Sequence, residues 1–375
     1  MVFISSSQSR FGIPKRRRQR SDKAKALSSS PSSPSSSTSP ADSAVAVRPF
    51  EFTVTDMALF HHCLSAEELK NYLSPDHMRL AFSFHFLLRL ILAVSGFHMK
   101  RKPETSHLRS VLQPDIDVFS EAERHVETAI QMVAAAGPNL NETNSHAIYA
   151  ASVYIFICYL AKGPQPGEYL AFREDDDTPG LSFFKGVRTI HEACKNLGLS
   201  QQASVVHSTT EEHTSEEDEA TLEHQQGGSL GNEESFHDYS EPLRELRALI
   251  FSTFPATDDR CFSYSLALDS LIARFDSVFG GSAPLAGLEL WPQIFSWLYT
   301  LPDCVVWDME EKYSLALLLF AFFLPLLDQL SSAWLIQGWP CHIMDGISRN
   351  IEESHRRLLS WPLSRLKLRP SNHRF

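Results

Sequence analysis

Apolar residues recur along most of this chain at intervals of three and four, the repeat of one helix face, and no stretch shows the sustained alternation of a half-buried strand ladder. The first run starts near Phe50, where Thr55 or Asp56 is placed to cap a helix carrying Leu59, Phe60, Cys63 and Leu64 on one side. Ser74 and Pro75 supply a cap and a first-turn proline for the next, which reads AFSFHFLLRLILAVSGFHMK. That run is apolar nearly all round, so it belongs at the centre of a core. Ile116 to Ala136 keeps helical spacing up to Gly137-Pro138. Asn144 or Ser145 then opens HAIYAASVYIFICYLA, which Gly163-Pro164 closes. A further helix, with Phe183, Phe184, Val187, Ile190, Cys194 and Leu197 on its repeat, runs from about Gly180 to Leu199.

The pattern lapses over residues 200–238, which are polar, acidic and glycine-containing, and resumes with PLRELRALIF, RCFSYSLALDSLIARFDSVF and LWPQIFSWLY. After Asp308 comes one long apolar segment, MEEKYSLALLLFAFFLPLLDQLSSAWLIQGW, and then IMDGISRNIEESHRRLLSW. The helices on either side of 200–238 do not close an amphipathic core separately. The pattern therefore predicts an all-α, multi-helix, bundle-like domain in two parts, 48–199 and 239–367, interrupted by a disordered acidic insertion at 200–238. Two helical lobes are the alternative. Residues 1–47, with KRRRQRSDKAK followed by SSSPSSPSSSTSP, have no apolar period and read as a disordered tail.

Composition supports a folded body, because 43% of the 375 residues are hydrophobic and can offset the ordering entropy by burial. The formal net charge of -11 is unevenly spread. From Arg10 to Lys25 there are eight basic residues against one Asp, and between Glu211 and Asp238 ten acidic residues with no Lys or Arg. Lys15, Arg16, Arg17, Arg18 and Arg20 form a dispersed positive patch suited to nuclear targeting; auxiliary nucleic-acid contact and an ordinary solvated tail are the other readings. Nothing near the start has the form of a secretory signal. Leu315 to Leu327 is thirteen apolar residues, short of the roughly 20 needed to span a bilayer, and Pro325 interrupts it. It is expected as a buried core helix with no membrane span, and the cysteines point to a reducing compartment.

Candidate chemistry is sparse. The six cysteines, Cys63, Cys158, Cys194, Cys261, Cys304 and Cys341, stand 36 residues or more apart, so no zinc ribbon, finger or cluster can be drawn from them. His61-His62-Cys63 brings imidazole and thiol together, but consecutive helical positions diverge by about 100 degrees. The plain reading is exposed histidines beside a packed cysteine. His191 with Cys194, and Cys341 with His342, invite a thiol-imidazole pair without a recognisable nucleophile setting. Gly227-Gly228-Ser229-Leu230-Gly231 matches the pattern of a nucleophile elbow, yet a glutamine-rich run stands where the chemistry needs a strand. Asp175-Asp176-Asp177 lacks the alternation of a calcium loop. With no phosphate loop or dinucleotide motif either, the chain carries no catalytic, metal or cofactor set and reads as a regulatory protein, not an enzyme. Phe82, Phe84, Phe86, Phe97, Trp297, Trp307, Phe322, Phe323, Trp334 and Trp339 either wall an apolar cavity, for a lipid or sterol, or fill the core.

The segment LFHHCLSAEELKNYLSPDHMRLAFSFHFLLRLILAVSGFHM resembles the opening of the C-terminal regulatory domain in fungal binuclear zinc cluster transcription factors, especially the sterol uptake control type. Ala81-Phe82-Ser83 and Phe86-Leu87-Leu88 fall in place, with Phe84-His85 where that family has His-Pro. Ala333-Trp334-Leu335-Ile336-Gln337-Gly338-Trp339 and Trp361-Pro362 resemble its tryptophan-rich ending, so the likeness spans roughly residues 50–365. It implies a helical domain for activation or repression of RNA polymerase II transcription in the nucleus. It also implies transcriptional regulatory proteins as partners, homo- or hetero-dimer contacts and, in sterol-responsive members, an apolar effector. The family's six closely spaced cysteines are absent. The resemblance therefore implies a regulator without an autonomous zinc-cluster DNA-binding domain and leaves direct DNA binding open. A non-DNA-binding scaffold or competitor of full-length factors, a shortened gene product, and a small-molecule-binding helical protein fit the same residues.

Overall fold

The computed structural model describes residues 51–103, 117–174, 186, 188, 239–280 and 290–366, all within the unit Phe50–Phe375. The predicted tail, the insertion at 200–238 and most of 180–199 lie outside the described residues. Thirteen α-helices and two short 3₁₀ turns are described, and no strand occurs among these residues, only isolated bridging pairs between Gln165, Glu168 and Arg173. The chain is all-α.

The first part comprises α1 (Val54–Ser65), α2 (Glu67–Lys70), α3 (Pro75–Ser83), α4 (His85–Arg101), α5 (Val118–Ala136) and α6 (Ser145–Lys162). The cap of helix α1 is Thr53, two residues before the first of the expected caps. Thr53 accepts from the Asp56 amide and Asp56 from the Thr53 amide, a reciprocal capping box that holds Thr55 and Asp56 inside the helix. Ser74 caps α3 ahead of Pro75, as the sequence predicts. The apolar run that follows is not one helix: Phe84, at φ -124° and ψ 94°, breaks it into α3 and α4. The break lets α4 turn its apolar surface inward, and Phe86 to Met99 is buried throughout except Arg89. Gly96 sits where α4 meets α5, since a Cβ there would lie 2.9 Å from that of Ala122. Gly163, at φ +86°, ends α6 in a conformation that favours glycine.

The second part comprises α7 (Ser240–Thr253), α8 (Asp259–Phe279), α9 (Leu290–Thr300), α10 (Asp303–Glu310), α11 (Ser314–Asp328), α12 (Trp339–Asn350) and α13 (Ser360–Arg365). The long apolar segment after Asp308 is likewise divided. Lys312, at φ +58°, separates α10 from α11, and residues 329–338 form turns before α12. All fifteen residues of α11 are buried, Pro325 included, so its length and hydrophobicity belong to the core. No described helix is long and apolar enough to cross a membrane.

The two parts share one core. Trp339 Nε1 at the start of α12 donates to Leu160 O in α6 at 3.1 Å, and Phe156 of α6 meets Phe295 of α9 edge-on.

Candidate functional site

Among the polar side chains buried in this core, those of α1, α4 and α5 form two clusters, one of which reaches α2 and the turn before α12. Asp56, His62, His98 and His125 are all shielded from solvent. Asp56 and His62 are placed there by the capping box and by the helical repeat, which turns Leu59 and Cys63 inward beside them. Burying such groups is costly unless each finds a partner, so their geometry is constrained.

His125 lies between Asp56 Oδ1, 2.8 Å from its Nε2, and Arg89 Nη1, 3.3 Å from its Nδ1. A guanidinium only donates, so Nδ1 is the acceptor and the ring proton sits on Nε2, where it is given to Asp56. Burial by itself would raise the Asp56 carboxyl. The His125 hydrogen bond and those from Thr53 outweigh it and hold the group below its ordinary value.

The second cluster is a relay. Glu68 Oε2 lies 3.2 Å from His98 Nε2, and His98 Nδ1 lies 2.9 Å from His62 Nε2. With Glu68 ionised, donation runs from His62 to His98 to Glu68, and Lys102 Nζ stands 3.6 Å from the other carboxylate oxygen. Burial, reinforced by the neighbouring His98 and His61, pulls the His62 imidazole down to about 4. The edge of Trp334 meets the His98 ring at 4.8 Å, and Arg101 lies over the indole at 5.7 Å. Arg101 in turn donates to Leu160 O, Leu335 O and Gln337 O, and burial pulls its pKa down to about 10.

Chemically this arrangement fixes helices in register and can pass a proton along the relay. Ser95, the buried hydroxyl next to it, is committed to Leu59 O at 2.6 Å. Burial pushes the Cys63 thiol up to about 12 and raises that of Cys158. A thiol so raised stays protonated and is a poor nucleophile and a poor metal ligand. Among the described residues no group of three or more His, Cys, Asp or Glu side chains is placed to hold a metal ion.

Of the sequence-predicted candidates, His61 is exposed and Cys63 packed as expected, but His62 is buried and bonded to His98. His342 Nε2 lies 2.9 Å from Glu168 O and its ring stacks on Tyr169, so it serves packing beside the half-buried Cys341. Of the ten aromatics, Phe86, Phe97, Trp297, Phe322, Phe323, Trp334 and Trp339 are core residues. Trp297 stacks on Phe323 at 4.7 Å and donates to Ala267 O. Phe82 and Trp307 stand at the surface, because each falls on the outward side of its helix. Lys15, Arg16, Arg17, Arg18 and Arg20, His191 with Cys194, Asp175 to Asp177, the Gly227–Gly231 motif and the acidic segment lie outside the described residues.

Sequence reasoning missed His98, His125, Glu68 and Arg89. It also missed a row of half-buried rings, Tyr72, Trp291, Phe295 and Phe156, that joins α6 and α9 to the turn before α3. The available signal was a histidine inside an otherwise apolar run, as in LILAVSGFHM.

Compared with family models, with curated proteins and with solved structures, the chain matches none.

Proposed function

We propose that this chain is a nuclear regulator of RNA polymerase II transcription whose helical domain receives a protein or apolar-ligand signal. One observation carries the reading. The two stretches that resemble the two ends of the fungal regulatory domain, 200 residues apart and more, pack on each other: His98 against Trp334, and Arg101 on the carbonyls of Leu335 and Gln337. A likeness made of unrelated apolar runs would not require such a meeting. An apolar signal would enter at Tyr72, Trp291, Phe295 and Phe156, which join both parts, and would act by favouring one packing of the helices over another.

The test has two arms. A fluorescent fusion of the full chain is expected in nuclei, and replacing Lys15, Arg16, Arg17, Arg18 and Arg20 together by Ala should return it to the cytoplasm. Tethered to a heterologous DNA-binding domain, the chain should change a reporter's transcript level. Exclusion from nuclei together with an unchanged reporter overturns the proposal. The cysteine spacing favours a second reading, a competitor that occupies a partner of full-length factors; it predicts an altered partner activity with no occupancy of DNA by this chain.

A further inference from the structure

Residues 164–174 form neither helix nor sheet, yet Tyr169, Leu170, Ala171 and Phe172 among them are buried. Backbone of that kind needs partners for its polar groups, and here it finds them within the segment. Among the described residues Glu168 N donates to Gln165 O, Tyr169 N to Phe172 O, Ala171 N to Tyr169 O and Glu174 N to Gly167 O. The segment is thus closed on itself and can leave the body of the domain with these bonds intact. Gly163 and Gly167, at φ +86° and +79°, lie at its entry in conformations that favour glycine and suit a hinge.

Side chains tie it to one stripe of α12, where His342, Gly346 and Arg349 stand at i, i+4 and i+7. His342 Nε2 donates to Glu168 O at 2.9 Å, and Tyr169 stacks on the His342 ring at 4.8 Å. The Tyr169 ring lies over Gly346 so closely that a Cβ has no room there. Tyr169 OH donates to Glu174 Oε1 at 2.5 Å, while Arg349 Nη1 reaches that hydroxyl at 2.9 Å and the carboxylate at 3.2 Å. Lys312 Nζ sits 3.3 Å from Glu174 O, and Tyr159 of α6 meets the Leu170 backbone. Two features make this hold releasable. Leu170, at φ +63°, is the centre of the tight Ala171 N to Tyr169 O turn, a strained conformation that lasts only while its surroundings enforce it. The Arg349–Glu174 pair, with side chains 64% and 49% exposed, is screened by water and salt and holds weakly.

We infer that residues 164–174 are a strap that lifts from α12 as a unit, baring the His342–Gly346–Arg349 stripe while the core stays folded, with Glu174 as its latch. This inference is independent of the transcriptional reading. Thiol labelling of the full chain carrying Ala171→Cys, followed by peptide mapping, tests it; Leu170→Cys is a second reporter should the first fail to fold. Cys63 and Cys158, buried in the core, mark global unfolding in the same molecule. The expected result is labelling at position 171 under native conditions, well ahead of Cys63 and Cys158. Glu174→Ala or Arg349→Ala, each removing a hydrogen bond to a charged group, should speed it by about 10-fold without speeding the two core cysteines. Asp269→Ala, which breaks the exposed pair with Arg247 elsewhere on the surface, should leave the rate unchanged. Labelling at position 171 that only keeps pace with Cys63 and Cys158 overturns the inference. So does a rate indifferent to both Glu174→Ala and Arg349→Ala.

Discussion

Replacing Asp56 by Ala takes the acceptor from two donors at once, the buried His125 Nε2 at 2.8 Å and the Thr53 amide, nearer the surface, at 3.0 Å. Leaving the buried His125 donor without its acceptor costs about 1–3 kcal/mol, and the lost helix cap adds about 1. Urea unfolding of the full chain followed by tryptophan fluorescence reads this as a lower midpoint. Because a stranded His125 contributes to the cost, a double-mutant cycle with His125→Phe isolates the pair, for which a coupling of about 1.5–3 kcal/mol is expected of a hydrogen bond to a charged group. The pH dependence is fixed in sign. With the Asp56 carboxyl held below its ordinary 3.8, the folded state binds fewer protons than the unfolded one as pH falls through that range. The advantage over Asp56→Ala is therefore complete above pH 3.8 and disappears as pH drops through the folded value. A single-variant cost below about 1 kcal/mol, or a coupling near zero, refutes the assignment of the pair as the anchor of α1.

His62 is depressed to about 4 from 6.5, so the unfolded chain takes up its proton first; wild-type stability should fall as pH goes from 6.5 towards 4, and His62→Gln should flatten that slope in the same unfolding assay. An equal slope in the two proteins would count against a neutral His62 in the relay. A Cβ at Gly346 would run into the Tyr169 ring, so Gly346→Ala should cost about 1–3 kcal/mol, and the cost should shrink when Tyr169 is also cut to Ala; an unchanged cost would place the strain elsewhere. Cys63 and Cys158, buried and raised in pKa, should be labelled by a thiol reagent only after unfolding, which peptide mapping of labelled native protein would contradict if either were modified.

The helical class was legible because three- and four-residue spacing needs only one face of each helix to be buried. Ser74-Pro75 and Gly163 mark element ends for local reasons and could be read from the chain. Phe84 and residues 329–338 could not: both interruptions fall inside apolar runs with a helix repeat, and tertiary packing decides where such runs turn. The same limit applies to the buried clusters. His62 and His98 stand 36 residues apart, and Asp56 and His125 stand 69 apart, distances at which no local pattern links them. Only the oddity of a polar residue amid leucines pointed to them. The aromatic list mixed core with surface because ring count says nothing of which side of a helix a ring occupies, as Phe82 and Trp307 show.

Arg101 reaches carbonyls that follow it by 234 and 236 residues. At a synthesis rate of about 5–20 residues per second, the chain that supplies them emerges roughly 10–50 s after α4. Throughout that interval the seat of Trp334 beside His98 stands open, and the α6 positions that meet Phe295 and Trp339 have no partner there, while α4 is already covered by α1, α3, α5 and α6. Contacts of such separation also slow folding, because their loop closure precedes any gain from burial. The first part of this protein thus keeps one seat of its core open until the turn before α12 has been made, and only then does Arg101 find the carbonyls that fix it.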